Sequence, residues 1–293
     1  MAPPGRTSAL LPTQPLVLVT GKGGVGRSTV ASAIAARLAE LGRQVVLAHP
    51  VDAPPAHPRP IYPAGVQVRP LDRDAALRRY LDDHLPGPLA SALRASRAFR
   101  LISAATPGLA ELITIGELRH LAEAEASDHV IYDAPATGHL LALLDAPGRF
   151  ERAAAAGPIA RRSQQLGAWI LSPAITGIVA VTTGDALATA ELLDLVDALE
   201  RRTGTPPQLI IANRLAVPAP PASELAQLPA LSLPDGTADA LAQLATRARS
   251  ERAQLGRITR RAGRPPLQSP EQPQAPVGAV LDALRTLNAT PTA

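Results

Sequence analysis

Gly21-Lys22-Gly23-Gly24-Val25-Gly26-Arg27-Ser28-Thr29 places two glycines with four residues between them, then a basic residue and two hydroxyls. A phosphate cradle needs that spacing. Glycines let backbone N–H groups turn inward onto phosphate oxygens, the start of the following helix adds its positive dipole end, and a hydroxyl can ligate Mg2+. Arg27 stands where such loops usually carry lysine. Its planar fork grips phosphate but is bulkier than a compact ammonium, so nucleotide can be held while turnover slows or stops. The alternative is a tight glycine turn with no ligand. Of 29 basic residues Lys22 alone is lysine, and it falls within this loop. The six histidines show no metal-ligand spacing.

The elements around the loop fit this chemistry. Residues 16–19 form a continuous apolar run of the kind buried in a parallel sheet, residues 28–41 carry helical spacing and end at Gly42, and residues 44–48 read as the next strand. Together they make a βαβ unit. A Pro-dense loop covers 49–65, and residues 72–125 are helical, broken at 86–88 and 107–108, which suggests an inserted helical lid. Strands are expected at 129–132, 178–181 and 209–212, with helices at 140–144, 149–170 and 186–202. A linker-like loop at 217–235 precedes a helix at 237–252, an extended segment near 265–268 and a last helix at 277–287. Strands alternating with helices imply an α/β doubly wound, mostly parallel sheet with a helical subdomain inserted at about 72–125 and 149–170. Residues 1–15 read as a flexible N-terminus, 16–287 as the domain and 288–293 as a tail.

Composition narrows the function. Zero cysteines exclude disulfides, thiolate metal sites, iron–sulfur ligation and cysteine catalysis, and fit a reducing cytoplasm. A net charge of +4 with 2% aromatics offers no base-stacking platform, so no nucleic-acid partner is expected. No leader pattern opens the sequence. The uncharged stretch 163–184 is divided by Pro173 and glycines, so stable membrane insertion is not expected.

The Lys22-containing loop resembles the deviant phosphate-binding motif of ATPases that dimerise face to face over nucleotide. The run Tyr132-Asp133-Ala134-Pro135-Ala136-Thr137-Gly138-His139 is similar to the switch segment of the ArsA family, which includes arsenite-pump ATPases and tail-anchored-protein targeting ATPases. Residues 149–164 and 105–116 resemble the short bacterial members, and Ala212-Asn213-Arg214 resembles the family's adenine-contacting segment. The resemblance covers residues 16–287 and implies a P-loop ATPase fold. It implies that Gly21, Gly23, Gly24, Val25, Gly26, Arg27, Ser28 and Thr29 wrap the phosphates of ATP, with Ser28 on Mg2+ and Thr29 nearer the α-phosphate. Lys22 would reach across a nucleotide-sandwich dimer, formed with itself or a paralogous ATPase, to the partner's nucleotide. Asp133 would hold Mg2+ through water, the alternative being a helix cap. Gly138 and His139 would belong to the switch that senses the γ-phosphate, a packed or surface histidine being the alternative. Asp52 would orient the attacking water, or else is a turn-forming aspartate among prolines. Asn213 and Arg214 would contact the adenine.

Zero cysteines exclude a thiolate arsenite site and a cysteine-held zinc at a dimer interface. One methionine argues against a Met-rich client groove, so the protein client of the helical subdomain stays unknown. Two other readings remain open. One is a catalytically impaired pseudo-ATPase subunit of a heterodimer that donates Lys22 in trans. The other is a ParA/MinD-type partition switch, which shares the Lys22 loop and predicts a basic patch or tail that the last helix does not offer.

Overall fold

The computed structural model describes residues 11–51, 64–84, 86–97, 106, 108–124, 127–154, 157–216, 223 and 236–287. Seven strands, β1 (Leu16–Gly21), β2 (Val45–Pro50), β3 (Val66–Leu71), β4 (His129–Asp133), β5 (Thr176–Thr182), β6 (Leu209–Leu215) and β7 (Leu267–Pro270), pair in the order β3-β2-β4-β1-β5-β6-β7. Every pairing is parallel, in agreement with the doubly wound class. The helices are α1 (Arg27–Glu40), α2 (Arg73–His84), α3 (Gly87–Ala95), α4 (Leu109–Ala124), α5 (Thr137–Ala154), α6 (Pro158–Ile170), α7 (Ala186–Thr203), α8 (Thr237–Ala262) and α9 (Pro276–Arg285).

The apolar runs become parallel strands because helices cover both faces. Alternate side chains of β1 divide between the two cores. Leu16 and Leu18 join a cluster with residues of α4, α5, α6 and α7, while Val17 and Val19 pack with α1 and α9. Helix α1 packs against both the sheet and α9, so even its small residues Ala31, Ala33 and Ala35 are fully buried. Burying a side chain such as Ile34 contributes about 1.5–3 kcal/mol. The chain changes face around β1: α1 leads to β2 beyond β4 on one face, and α5 and α6 lead from β4 to β5 on the other. Such a switch point opens a crevice at the carboxyl ends of the strands.

Several expectations need adjustment. β3 was not anticipated; Val66-Gln67-Val68-Arg69 alternates as a half-buried edge strand should, and Pro70, paired in register with His49, is tolerated because an edge strand has no partner on its outer side. Helix α5 starts at Thr137, so Gly138 and His139 lie in its first turn, and it continues through Pro147 to Ala154. The break instead comes at Gly157, whose φ is 103°. Close packing carries α5 past its proline, since a Cβ built on Gly167 of α6 would stand 3.0 Å from the Pro147 ring. Helix α8 extends ten residues past the expected end at 252, because Ile258 is buried and Arg261 bridges to Asp197 and Glu200 of α7. It stops at Gly263, in the left-handed conformation. Within the expected N-terminal tail, residues 11–15 are docked: Leu11 is buried, and Pro15 accepts from the Val130 N–H at 2.7 Å. In the 72–125 insertion, Ile115, Leu118 and Leu121 of α4 belong to the core on the sheet face. Of the expected loop 217–235 all but residue 223 lies outside the described residues. No described helix is long and apolar enough to cross a membrane.

Candidate functional site

The glycine loop leaves β1 at the switch point and enters α1. Gly21 must be glycine because a Cβ there would collide with the Val181 carbonyl of β5. Gly24 and Gly26 have φ of 85° and 90°, the left-handed region, and a Cβ on Gly26 would also run into the Asn213 amide. Gly26 caps α1 with no side-chain hydrogen bond, and the first turn holds no acidic residue, so backbone N–H groups there are placed for an anion.

Beneath the loop the Ser28 side chain lies beside the carboxylate of Asp133, the last residue of β4, which is 8% exposed. Burial raises the Asp133 pKa, opposed by the Ser28 hydrogen bond and by the charges of Arg27 and His49. A hydroxyl and a carboxylate are hard oxygen donors that suit Mg2+, an ion that keeps several waters and uses few protein ligands. Among the described residues no group of three or more His, Asp or Glu could hold a metal ion by itself. The residues present therefore fit Mg2+ held jointly with phosphate.

Both basic side chains of the loop have partners. Arg27 donates from Nη1 to the Ala134 carbonyl at 2.5 Å. Lys22 Nζ lies 3.5 Å from Glu191 of α7. Near it, Asp185 caps α7; the Ala188 N–H, the Thr183 hydroxyl and the Lys22 charge all hold its carboxyl below its ordinary pKa. Asn213, 3% exposed, donates from Nδ2 to the Val25 carbonyl at 3.0 Å. Arg214, with φ 57°, donates to the Gly24 carbonyl at 3.0 Å. A non-glycine residue in the left-handed region is uncommon and accumulates at functional sites. A cleft of about 450 Å³ opens beside the loop, lined by Gly23, Gly24, Thr183, Asp185, Arg214 and Arg247 among others. Another, of about 510 Å³, lies at the opposite ends of β5 and β6, away from every motif residue.

Comparison with known proteins agrees with this geometry. The family model for anion-transporting ATPases matches residues 14–58, which contain the glycine loop. ATPase BagA of Mycobacterium tuberculosis is 31% identical over 221 residues, 68% of this chain and 64% of its own length. An arsenical pump-driving ATPase of Escherichia coli is 28% identical over 211 residues, 69% of this chain and 35% of its own. ATPase ASNA1 homolog 2 of Paramecium tetraurelia is 27% identical over 163 residues, 48% of this chain and 46% of its own. The chain belongs to the ArsA-related ATPase family. The match spans less than two thirds of the length of these relatives, 64% of the mycobacterial one and less of the others.

In this ArsA-related chain the structure brings Ser28 to Asp133, and Asn213 and Arg214 to the glycine loop. Asn213 meets the back of the loop, where its amide supports the Val25 carbonyl. Gly138 and His139 are exposed. Asp52 lies outside the described residues. Sequence reasoning gave no role to His49, Asp185, Glu191, Arg247 or Glu251. His49, next to last in β2, stands one step beyond the Ala48–Tyr132 pairing, and that register sets it beside Asp133. Glu251 accepts from the Ala216 N–H and from Arg247 Nε, both at 2.8 Å. Only the usable signal of Asp185, an acidic residue just before a helix, was present in the sequence.

Proposed function

We propose that this protein is a Mg2+-dependent switch that binds and hydrolyses ATP, dimerises face to face over the nucleotide, and passes the nucleotide state to its helical elements in the cytoplasm. The observation that carries this reading is the placement of Ser28 beside the buried Asp133 carboxylate, at the root of a loop whose glycines Gly24 and Gly26 adopt left-handed conformations. Backbone N–H groups of residues 21–29 bind the phosphates, with Thr29 toward the α-phosphate. Ser28 holds Mg2+ directly and Asp133 holds it through water; the ion, when bound, neutralises charge that develops between the β and γ groups. Lys22 brings a further positive charge to the partner's nucleotide. Asp52 orients the attacking water, His139 and Gly138 respond to the γ-phosphate, and Asn213 and Arg214 border the adenine. A homodimer or a pairing with a paralogous ATPase satisfies the Lys22 role equally.

A second reading, the catalytically impaired subunit of a heterodimer, is favoured by one observation. Arg27 occupies the usual lysine position and contacts a backbone carbonyl, a neutral partner. Phosphate release separates the two readings. The wild type is expected to release phosphate from ATP with Mg2+ and not with chelator, and Lys22→Ala to lower the rate by about 10³-fold, the scale of a charge supplied to the transferring phosphoryl group. Turnover that appears only in Arg27→Lys supports the pseudo-ATPase. Failure of the wild type to bind ATP overturns both.

A further inference from the structure

Arg27 sits at the first position of α1, yet its guanidinium leaves the loop and reaches a carbonyl 107 residues further along the chain. That carbonyl belongs to Ala134, immediately after Asp133 and immediately before the segment that starts α5. The Ala134 N–H donates to Val19 of β1 at 3.0 Å, so the peptide on that side is fixed to the sheet. Beyond it Pro135, Ala136 and Thr137 are partly exposed, and Gly138 and His139 are exposed. Their order rests on one helical turn, in which the N–H groups of His139 and Leu140 donate to the Ala136 carbonyl at 2.8 and 3.4 Å. Arg27 is thus a side-chain tether from the glycine loop to this segment.

A phosphate at the loop would compete for the same guanidinium. A phosphate adds a full negative charge that the neutral carbonyl lacks, and the arginine fork can engage two phosphate oxygens at once. The carbonyl is therefore the weaker claimant. We propose that Arg27 is a positioning residue shared between nucleotide phosphate and the Ala134 carbonyl, so that phosphate binding releases residues 134–140 from the glycine loop. This rests on the nucleotide-binding reading above. It gives the arginine a task that a lysine, ending one bond shorter, performs poorly: spanning from α1 to the segment.

Amide hydrogen exchange of the full-length chain, with and without Mg2+ and a non-hydrolysable ATP analogue, tests it. Binding of a fluorescent ATP analogue is measured in parallel. In the free wild type, peptides over 134–140 are expected to be protected, and saturation with the analogue to speed their exchange, slower exchange overturning the proposal. In free Arg27→Ala these peptides are expected to exchange about tenfold faster, the factor for losing one hydrogen bond to a charged group, with no further change on adding nucleotide. Peptides over α7 serve as the control for folding. Should Arg27→Ala loosen the whole chain, Arg27→Lys replaces it: expected to bind the analogue within about tenfold of the wild type while leaving 134–140 as fast as in a released segment. Exchange at 134–140 equal to wild type in the variant that folds overturns the tether, as does a saturated wild type whose segment does not respond. A wild type that binds no nucleotide overturns the functional reading instead, and the comparison of free proteins still decides whether Arg27 holds the segment.

Discussion

Asp133, the proposed Mg2+-site carboxylate, sits where its charge costs the fold stability. Its carboxylate is buried beneath the glycine loop, and burial raises its pKa even though Ser28, Arg27 and His49 favour the charged form. A carboxyl whose folded pKa is raised binds its proton more tightly in the native state than in the unfolded chain. Its contribution to stability therefore falls as pH rises through that range and is unfavourable at neutral pH. Asp133→Asn is expected to unfold at a higher denaturant concentration than wild type at pH 7, with the difference closing as pH is lowered toward the ordinary aspartate range. The same variant is expected to lose the Mg2+ dependence of nucleotide binding, the pattern expected where a site is kept at the expense of stability. A variant less stable than wild type at pH 7 would contradict the assignment of burial as the dominant influence.

The floor of the cleft is an assembly of element ends. Glu251 of α8 accepts from the Ala216 N–H at the end of β6 and pairs with Arg247, which also reaches Glu271 just after β7 at 2.9 Å and the Arg214 carbonyl at 2.8 Å. Gly184, after β5, leaves room for this carboxylate: a Cβ there would stand 2.7 Å from the Glu251 Cβ. Three strand ends and one helix are thus joined through two side chains, Glu251 and Arg247. Glu251→Ala leaves the Ala216 N–H without its acceptor and is expected to cost about 1–3 kcal/mol, read from the midpoint of urea unfolding. Faster amide exchange at Ala216 and in the first half of α8, with α1 unchanged, would show that the loss is local.

At the scale of the whole molecule, the sheet order sets the glycine loop, Asp133 and the Thr183–Asp185 turn along one edge. Lys22 lies on that edge with Glu191, whose side chain is 41% exposed. An exposed ion pair of this kind is worth about 0–1 kcal/mol, so it does not hold Lys22 back from a partner's nucleotide. Light scattering is expected to show the mass doubling when Mg2+ and a non-hydrolysable ATP analogue are added, in the wild type and in Glu191→Gln. An unchanged mass at concentrations where nucleotide is bound would count against the dimeric switch.

The sequence by itself determined the local features: the glycine loop at the end of an apolar strand, the βαβ unit, the parallel class of the sheet and the absence of thiolate chemistry. These follow from residue type and spacing within some thirty positions, where backbone conformation and burial period are set by near neighbours. Tertiary structure alone decided the rest. Ser28 meets Asp133, Arg27 meets Ala134 and Asn213 meets Val25 across more than a hundred residues, because β4 and β6 are laid beside β1 by the order of the sheet. The edge strand β3 and the passage of α5 through Pro147 were likewise settled by packing, which overrides the weak local preferences there. Arg27 is the meeting point of the two levels: its position in the motif is written in the sequence, but its partner is fixed by the register of strands far along the chain.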